Sequence, residues 1–332
     1  MQRIKVGVIG VGHLGEHHTR IYSELPQAEL VGIYDSDLEK AKAKAEKYKT
    51  TYFMGLDQLL QKVEAVSLVV PTSSHYEVAK EVLDRDVHIL IEKPITETVE
   101  QAEELIQIAK QNNLTLQVGH IERFNPAFRA IENIKLEPKF IESHRLSSFV
   151  ERGTDVAVIL DLMIHDLDLI LYLVKDKIMS VEASGVAVIT ETEDIANARV
   201  TFENGCVANI TASRISARPM RKLRIFQKNA YISLDFLEKK AEVYRLVKTE
   251  NMESTLGKTI VGQIPIEKTG KTIIYEKPEI KSEDMLTSEL SSFLQAVATR
   301  TTPLVTGEQA KQALKLALEI KKKSAFHLQK IR

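Results

Sequence analysis

The sequence predicts an α/β chain in two parts. An amino-terminal doubly wound parallel sheet of the Rossmann type spans residues 1–120, and an α+β domain with an open, mainly antiparallel sheet spans residues 121–332. Three observations predict this. Strand-like apolar runs alternate with helix-like segments through the first 120 residues, a glycine-rich turn follows the first run, and beyond residue 120 a very apolar helix leads into a series of strands. A length of 332 residues exceeds what one core usually serves, and 44% hydrophobic with 27% charged residues is the composition of a folded globular chain.

The first strand is Ile4-Lys5-Val6-Gly7-Val8-Ile9, followed by glycines and a helical stretch over 14–25. Strands are expected at 30–34, 65–70, 88–91 and 114–118, with helices such as 38–48 and 99–111 between them. Parallel strands require crossovers of this kind, and near-continuous apolar runs mark strands covered on both faces. Such sheets bind ligands beyond the carboxyl ends of their strands, so the chemistry is expected on those loops.

Gly10-Val11-Gly12-His13-Leu14-Gly15 fits the dinucleotide fingerprint, and its context strengthens it: a strand precedes it, a helix opens on it, and Asp35 lies 20 residues after Gly15 at the end of the second strand. The helix start offers N–H groups and a partial positive charge to a pyrophosphate. Asp35 offers acceptors to ribose hydroxyls and would repel a 2′-phosphate, so NAD is the expected cofactor rather than NADP. His13, His17 and His18 diverge on the helix and lack a third ligand at suitable spacing, so packing or surface roles are expected and no metal site.

The basic and acidic residues, 45 and 46, nearly cancel, which leaves no field for a nucleic-acid partner. Cys206 is the single cysteine, so no intrachain disulfide forms. No apolar run approaches the roughly 20 residues that cross a bilayer, and the chain opens on a strand without a signal-peptide core. A cytoplasmic location without a membrane partner is the expectation.

Two loops follow apolar strands directly: Pro71-Thr72-Ser73-Ser74-His75 and Glu92-Lys93-Pro94. Their position makes Pro71, Thr72, Ser73, His75, Glu92 and Lys93 candidate cofactor contacts. A second triplet, Glu276-Lys277-Pro278, follows a predicted edge strand at 272–275 and reads as a connector to an amphipathic helix over 283–297.

Residues 156–174 form a helix apolar over most of its circumference, with Asp161, His165, Asp168 and Tyr172 at spacings of four, three and four on one face. Buried carboxylates without partners cost several kcal/mol, so this stripe is either hydrogen-bonded internally or faces a wet cleft. A structural network, a metal site of Asp161, His165 and Asp168, and a catalytic face all fit the pattern; the metal reading lacks a clear fourth ligand. Asp166 points elsewhere. Strands are expected at 179–189, 196–202, 207–212, 223–226 and 231–236, with Asn204-Gly205 as a hairpin turn. Residues 238–281 are charge-rich strands and turns without a motif, and 307–328 form a final amphipathic helix with Lys321-Lys322-Lys323 near its end.

Gly119-His120-Ile121-Glu122-Arg123-Phe124-Asn125-Pro126-Ala127 lies at the carboxyl end of the last parallel strand. His120 is there a candidate cofactor contact, and Arg123 and Asn125 are candidates for holding sugar hydroxyls or an amide, against a helix cap and a surface arginine. Arg214, Arg218, Arg221, Lys222 and Arg224 are close in sequence; a diphosphate clamp, with Arg214 and Arg221 foremost, competes with a solvated strand end.

On the Glu92-Lys93-Pro94 triplet, the glycine fingerprint and the Asp161–His165 pair, the chain resembles the glucose–fructose oxidoreductase and inositol dehydrogenase family along essentially its whole length. The resemblance implies that Lys93 reaches the nicotinamide and the reacting hydroxyl, that Glu92 lies beside the cofactor, and that Asp161 and His165 stand next to the catalytic lysine. Where the family usually has glycine two residues after the aspartate, this sequence has Met163. Hydride leaves a carbinol readily only as the hydroxyl loses its proton, so His165 is the expected base, Asp161 its orienting partner, and Lys93 the group that stabilises negative charge on oxygen. The resemblance also implies a homodimer or homotetramer formed through the carboxy-terminal sheet. The 119–127 segment looks like the branch that oxidises the 3-hydroxyl of UDP-N-acetylglucosamine or a related hexosamine on the way to a 3-amino sugar. A dehydrogenase of a free cyclitol or hexose, and a non-catalytic NAD-binding regulator, are the alternatives.

Overall fold

The computed structural model describes residues 3–149, 156–251, 260–266 and 269–331. They form two compact units, Met1–Ile121 with Glu283–Lys315, and Glu122–Ser282 with Leu316–Arg332. A single division near residue 120 is therefore half of the partition: the chain comes back to complete the first unit.

That unit holds six parallel strands, β1 (Ile4–Ile9), β2 (Ala28–Tyr34), β3 (Thr51–Tyr52), β4 (Ala65–Leu68), β5 (His88–Glu92) and β6 (Leu116–Gly119), in the order β3-β2-β1-β4-β5-β6. The order reverses between β1 and β4, which is where a doubly wound sheet opens its ligand crevice. β3 is two exposed residues long and left no apolar run to read. Helices α1 (His13–Glu24), α2 (Leu38–Tyr48), α3 (Leu56–Leu60), α4 (His75–Asp84) and α5 (Val99–Gln111) supply the crossovers. Asp37 starts α2 by accepting the Lys40 N–H, and Thr98 and Gln101 cap α5 reciprocally.

The returning segment carries α8 (Met285–Thr299), whose Leu286, Leu290, Phe293, Leu294 and Val297 join a core with Val6 and Val8 of β1, Leu90 of β5, and Ile21, Tyr22 and Leu25 of α1. This apolar stripe is the reason the segment belongs with the first unit. Helix α9 (Gly307–Ile331) gives its first turns to that unit and the remainder to the second.

The second unit contains nine strands: β7 (Phe140–Leu146), β8 (Ile178–Val186), β9 (Ile195–Phe202), β10 (Val207–Ser213), β11 (Met220–Gln227), β12 (Ala230–Asp235), β13 (Lys240–Lys248), β14 (Ile260–Ile266) and β15 (Lys271–Glu276). Their order is β14-β15-β13-β12-β11-β7-β10-β9-β8, and every pairing is antiparallel except β7 with β10. β15 pairs on both sides, so the predicted edge at 272–275 is in fact flanked by β14, and Glu276 of the second triplet meets Arg245 at 3.0 Å. Ile141, Ala208, Ile210, Leu223, Ile225, Ile232, Leu234 and Val243 are buried on one face. Small helix α6 (Pro126–Arg129), a π-helical turn (Ile159–Met163) and its continuation α7 (Ile164–Val174) pack against β7, β10, β12 and β13. The opposite face carries five aromatic rings in succession, Phe140, Phe226, Tyr231, Tyr244 and Tyr275, with centroid separations of 5.7, 4.9, 5.5 and 4.7 Å.

Replacing Phe293 with alanine leaves a cavity among α1, α8 and the sheet. A loss of about 3–5 kcal/mol from the first unit is expected, read as an earlier urea transition by circular dichroism, with the second unit's transition unmoved.

Candidate active site

At the end of β1 the chain turns through Gly10 with φ +84°, and a Cβ there would stand 2.3 Å from the Val69 carbonyl oxygen as the chain leaves β4. Gly15 is closer still: its Cβ would lie 1.9 Å from the Gly10 carbonyl oxygen, so helix and turn touch only because Gly15 has no side chain. Gly12 differs, since a Cβ there would enter open space. It precedes α1, which no side chain caps, so first-turn N–H groups are left for an anion. The cradle fits a pyrophosphate.

Asp35 is held in place at the end of β2. Its Oδ2 accepts the Val11 N–H at 2.8 Å and its Oδ1 the Asp37 N–H at 2.9 Å, with the Lys40 ammonium 3.9 Å away. Remaining lone pairs on both oxygens suit ribose hydroxyls. His13 and Leu14 are exposed at the helix start, and the His13 and His17 rings meet edge-on at 5.0 Å.

Pro71 is extended, and Thr72–Ser74 forms a 3-10 turn into α4, leaving Pro71, Thr72 and Ser73 at least partly exposed. His75 is not on that surface. It is buried, with Nδ1 2.8 Å from the Pro94 carbonyl and Nε2 3.0 Å from the Val70 carbonyl, so its ring ties the two loops together rather than facing a ligand. Burial pushes its imidazole below the ordinary histidine range, which leaves one N–H for these two carbonyls.

Glu92 is turned inward as well. Its Oε1 lies 3.1 Å from Nε2 of the wholly buried His18, and its Oε2 accepts the Lys93 N–H at 3.3 Å. Gly119 makes room for it, since a Cβ there would come within 2.8 Å of Oε2. Lys93 is half-buried and precedes a cis peptide bond to Pro94, while His120 is buried.

In the second unit the polar stripe divides. Asp168 takes the Arg123 guanidinium on both oxygens, at 2.5 and 2.8 Å, and the Tyr172 ring lies 4.0 Å below the same guanidinium. Asp161 and His165 are half-buried, Asp161 within the π-helical turn and His165 one turn on; buried Met163 fills the position between. Asp166 does point elsewhere, to Arg145 at 2.7 Å, and Arg145 also holds Glu122 at 2.8 Å. Burial works against the Arg145 charge, but Asp166 and Glu122 outweigh it and raise its pKa.

Arg123 and Asn125 are thus internal. Arg123 anchors α7, and Asn125 caps α6 by accepting the Ala127 N–H at 3.0 Å while its amide reaches the Phe236 carbonyl. Of the five cations weighed as a clamp or a solvated strand end, Arg214 and Arg218 lie on the connection between β10 and β11, and alternation along β11 separates the other three. Arg214 is buried against the Val156 carbonyl. Arg221 shares the helix-covered face with Arg145, 3.7 Å from Glu122, and burial followed by the Arg145 charge lowers its pKa. Lys222 and Arg224 face the other way, toward Asp235 and Glu142. Sequence reading missed the Glu122–Arg145–Asp166 trio because its members lie on three elements; the alternation of Ile141, Ser143 and Arg145 along β7 was the available signal. Among the described residues no helix is long and apolar enough to cross a membrane, and no group of three or more His, Cys, Asp or Glu is arranged to hold a metal ion.

Residues 4–120 match the oxidoreductase family with an NAD-binding Rossmann fold, and residues 133–233 match the carboxy-terminal domain of the same family. The chain belongs to the Gfo/Idh/MocA oxidoreductases. It is 37% identical over 322 residues to a UDP-N-acetylglucosamine 3-dehydrogenase from Acidithiobacillus ferrooxidans, covering 97% of each chain. A solved structure of that organism's UDP-N-acetylglucosamine 3-dehydrogenase superposes with a TM-score of 0.89 over 99% of this chain and 100% of the other, at 36% identity. A scyllo-inositol 2-dehydrogenase (NAD+) from Bacillus subtilis is 25% identical over 237 residues, 64% of this chain and 68% of its own. The myo-inositol 2-dehydrogenase from Lactobacillus plantarum, at 16% identity and a TM-score of 0.77 over 98% of both chains, shares the fold.

For a Gfo/Idh/MocA protein the glycine turn carries a direct test. Gly15→Ala forces α1 away from Gly10, and NADH affinity by fluorescence titration should fall at least about tenfold, equivalent to about 1.4 kcal/mol.

Proposed function

We propose that this protein is an NAD-dependent dehydrogenase that oxidises the 3-hydroxyl of UDP-N-acetylglucosamine, or a closely related UDP-N-acetylhexosamine, to the ketone. The observation that carries the reading is the 37% identity to a UDP-N-acetylglucosamine 3-dehydrogenase across 97% of both chains. Inositol dehydrogenases match over 54–64% of this chain at 25–29% identity, which places a free cyclitol second.

NAD, when bound, supplies the hydride acceptor. The Gly10–Gly15 turn would hold its pyrophosphate, and Asp35, fixed by Val11 and Asp37, would accept ribose hydroxyls and discriminate against a 2′-phosphate. Lys93 is assigned the stabilisation of negative charge on the substrate oxygen, which lowers the barrier only if the charge grows during reaction. His165 is assigned the hydroxyl proton, and Asp161, four residues before it, the orientation of the ring. Diphosphate binding is assigned to Arg221, exposed at the strand start; internally satisfied Arg123 and Asn125 would act by shaping the domain.

With UDP-N-acetylglucosamine and NAD, NADH should appear at 340 nm in wild type. Turnover should vanish in Lys93→Met without loss of NADH binding, and should fall by about 10²–10⁴-fold in His165→Ala. UDP in the presence of NAD should raise the melting temperature. Turnover of free inositol with no response to any UDP-sugar would transfer the assignment to the cyclitol class, and better catalysis with NADP would remove the role given to Asp35.

A homodimer or homotetramer built on the carboxy-terminal sheet is part of the same proposal. The five-ring aromatic row on the open face supports it, because such a row favours burial against another surface. Light scattering should give a multiple of the 37.4 kDa chain mass, and Tyr231→Lys with Tyr244→Glu should return the monomer.

A further inference from the structure

Beneath the Glu-Lys-Pro loop, one face of the parallel sheet changes from apolar to polar. Ser67, Leu90 and Gln117 stand in register on β4, β5 and β6, and one step toward the carboxyl end Glu92 stands beside Gly119. His18 and Tyr22 descend onto this face from α1; Nε2 of His18 meets Glu92, and the Tyr22 hydroxyl lies 2.8 Å from Ser67 Oγ. From α8 comes Glu289, whose backbone carbonyl accepts the Gln117 amide at 3.3 Å. Glu289 is 0% exposed, and among the described residues neither of its carboxylate oxygens has a hydrogen-bond partner. His18 Nδ1 and Gln117 Oε1 are orphaned in the same way.

Three unsatisfied polar groups in one buried region are costly to leave without partners, and one or two internal waters making several bonds each would satisfy them. An isolated carboxylate cannot be kept there, while a carboxylic acid can both donate and accept. We propose that Glu289 is a positioning residue of the Lys93 loop: it is buried as the neutral acid, donates through internal water toward Glu92 and His18, and so keeps Glu92 Oε2 in place to accept the Lys93 backbone N–H.

The groups facing Glu289 agree on the sign. Burial first, and then the charge of Glu92, raise the Glu289 pKa well above the ordinary value of 4.5. Tyr22, the other titratable group on α1 here beside His18, is likewise pushed upward by burial, with Glu289 and Glu92 adding to the effect. β4 and β6 contribute the uncharged Ser67 and Gln117. An acid with a raised folded pKa favours the folded state fully below the unfolded value, and that contribution is lost as pH rises toward the folded value. Stability from Glu289 therefore declines from about pH 4.5 upward. Ionisation would also put a second negative charge beside Glu92 and disturb the loop. The kinetic part of the inference rests on the assignment of Lys93 above; the thermodynamic and spectroscopic parts do not.

Three measurements on full-length protein decide it. The melting temperature of Glu289→Gln, which mimics the neutral acid, should exceed that of wild type by a margin that grows from pH 5 to pH 9. The 13C-methyl signal of reductively methylated Lys93, assigned by its absence in Lys93→Met, should show in wild type a pH-dependent step additional to the ionisation of the amine itself, and Glu289→Gln should lack that additional step. Where turnover is measurable, Glu289→Leu should lower kcat about tenfold, the scale of one lost hydrogen bond to a charged group. Glu289→Gln should recover most of that loss and keep its activity at alkaline pH where wild type declines. A pH-independent stability difference, or a Lys93 signal indifferent to Glu289, overturns the proposal. Equal kcat in the leucine and glutamine variants does the same. Failure to turn over any sugar nucleotide would instead count against the assigned reaction, with the first two measurements still deciding the role of Glu289.

Discussion

A guanidinium cut off from water must be met by carboxylates, and in the second unit this condition settles where the helices lie. Arg145 rises from the buried face of β7 between Glu122 and Asp166, and Arg123 closes on Asp168. Removing one partner from such a pair leaves an uncompensated charge and typically costs about 3–5 kcal/mol, so few other placements of α7 are open. The bonds also fix its rotation. With Asp166 and Asp168 committed inward, Asp161 and His165 are carried on the half-buried side of the same helix, and a single residue of π-helical slack before α7 sets Asp161 relative to His165.

The first unit solves a related problem differently. Its glycine turn is built by contact: Gly10 against Val69 and Gly15 against Gly10 leave no volume for a side chain, so the amino end of α1 is forced down onto the strand ends. Asp35 is then pinned by the backbone of that same turn. The open amino end of α1 is thereby tied to backbone geometry rather than to side-chain packing.

Local signals were legible in the sequence. α2 and α5 begin and end where periodicity places them, and Gly10 and Gly15 of the fingerprint make the close contacts that a tight turn and close helix packing imply. What the sequence did not disclose was pairing across distance. Asp168 and Tyr172 looked like continuations of the Asp161–His165 face because helical spacing is all that one segment reveals; only the arrival of Arg123 separates them. His75 looked like a loop residue and is a strut, and Arg123 and Asn125 looked like substrate contacts and are interior. In each case a polar residue near a strand end has two ways to satisfy its hydrogen bonds, and burial decides between them. Short β3 escaped for a simpler reason, having too few positions to stand out, while β14, with Ile260, Val261, Ile264 and Ile266, lay inside a run read only as charge-rich strands and turns.

The discontinuous first unit bears on how the polypeptide is made. During synthesis the six parallel strands emerge long before α8, so the face bearing Val6, Val8 and Leu90 has only α1 to cover it while the whole nine-stranded sheet is being translated. A nascent chain in that condition is exposed to aggregation and is a natural client for holding chaperones. Truncation ahead of residue 283 would make that transient state permanent, and the amino-terminal fragment would lack the helix that seals it.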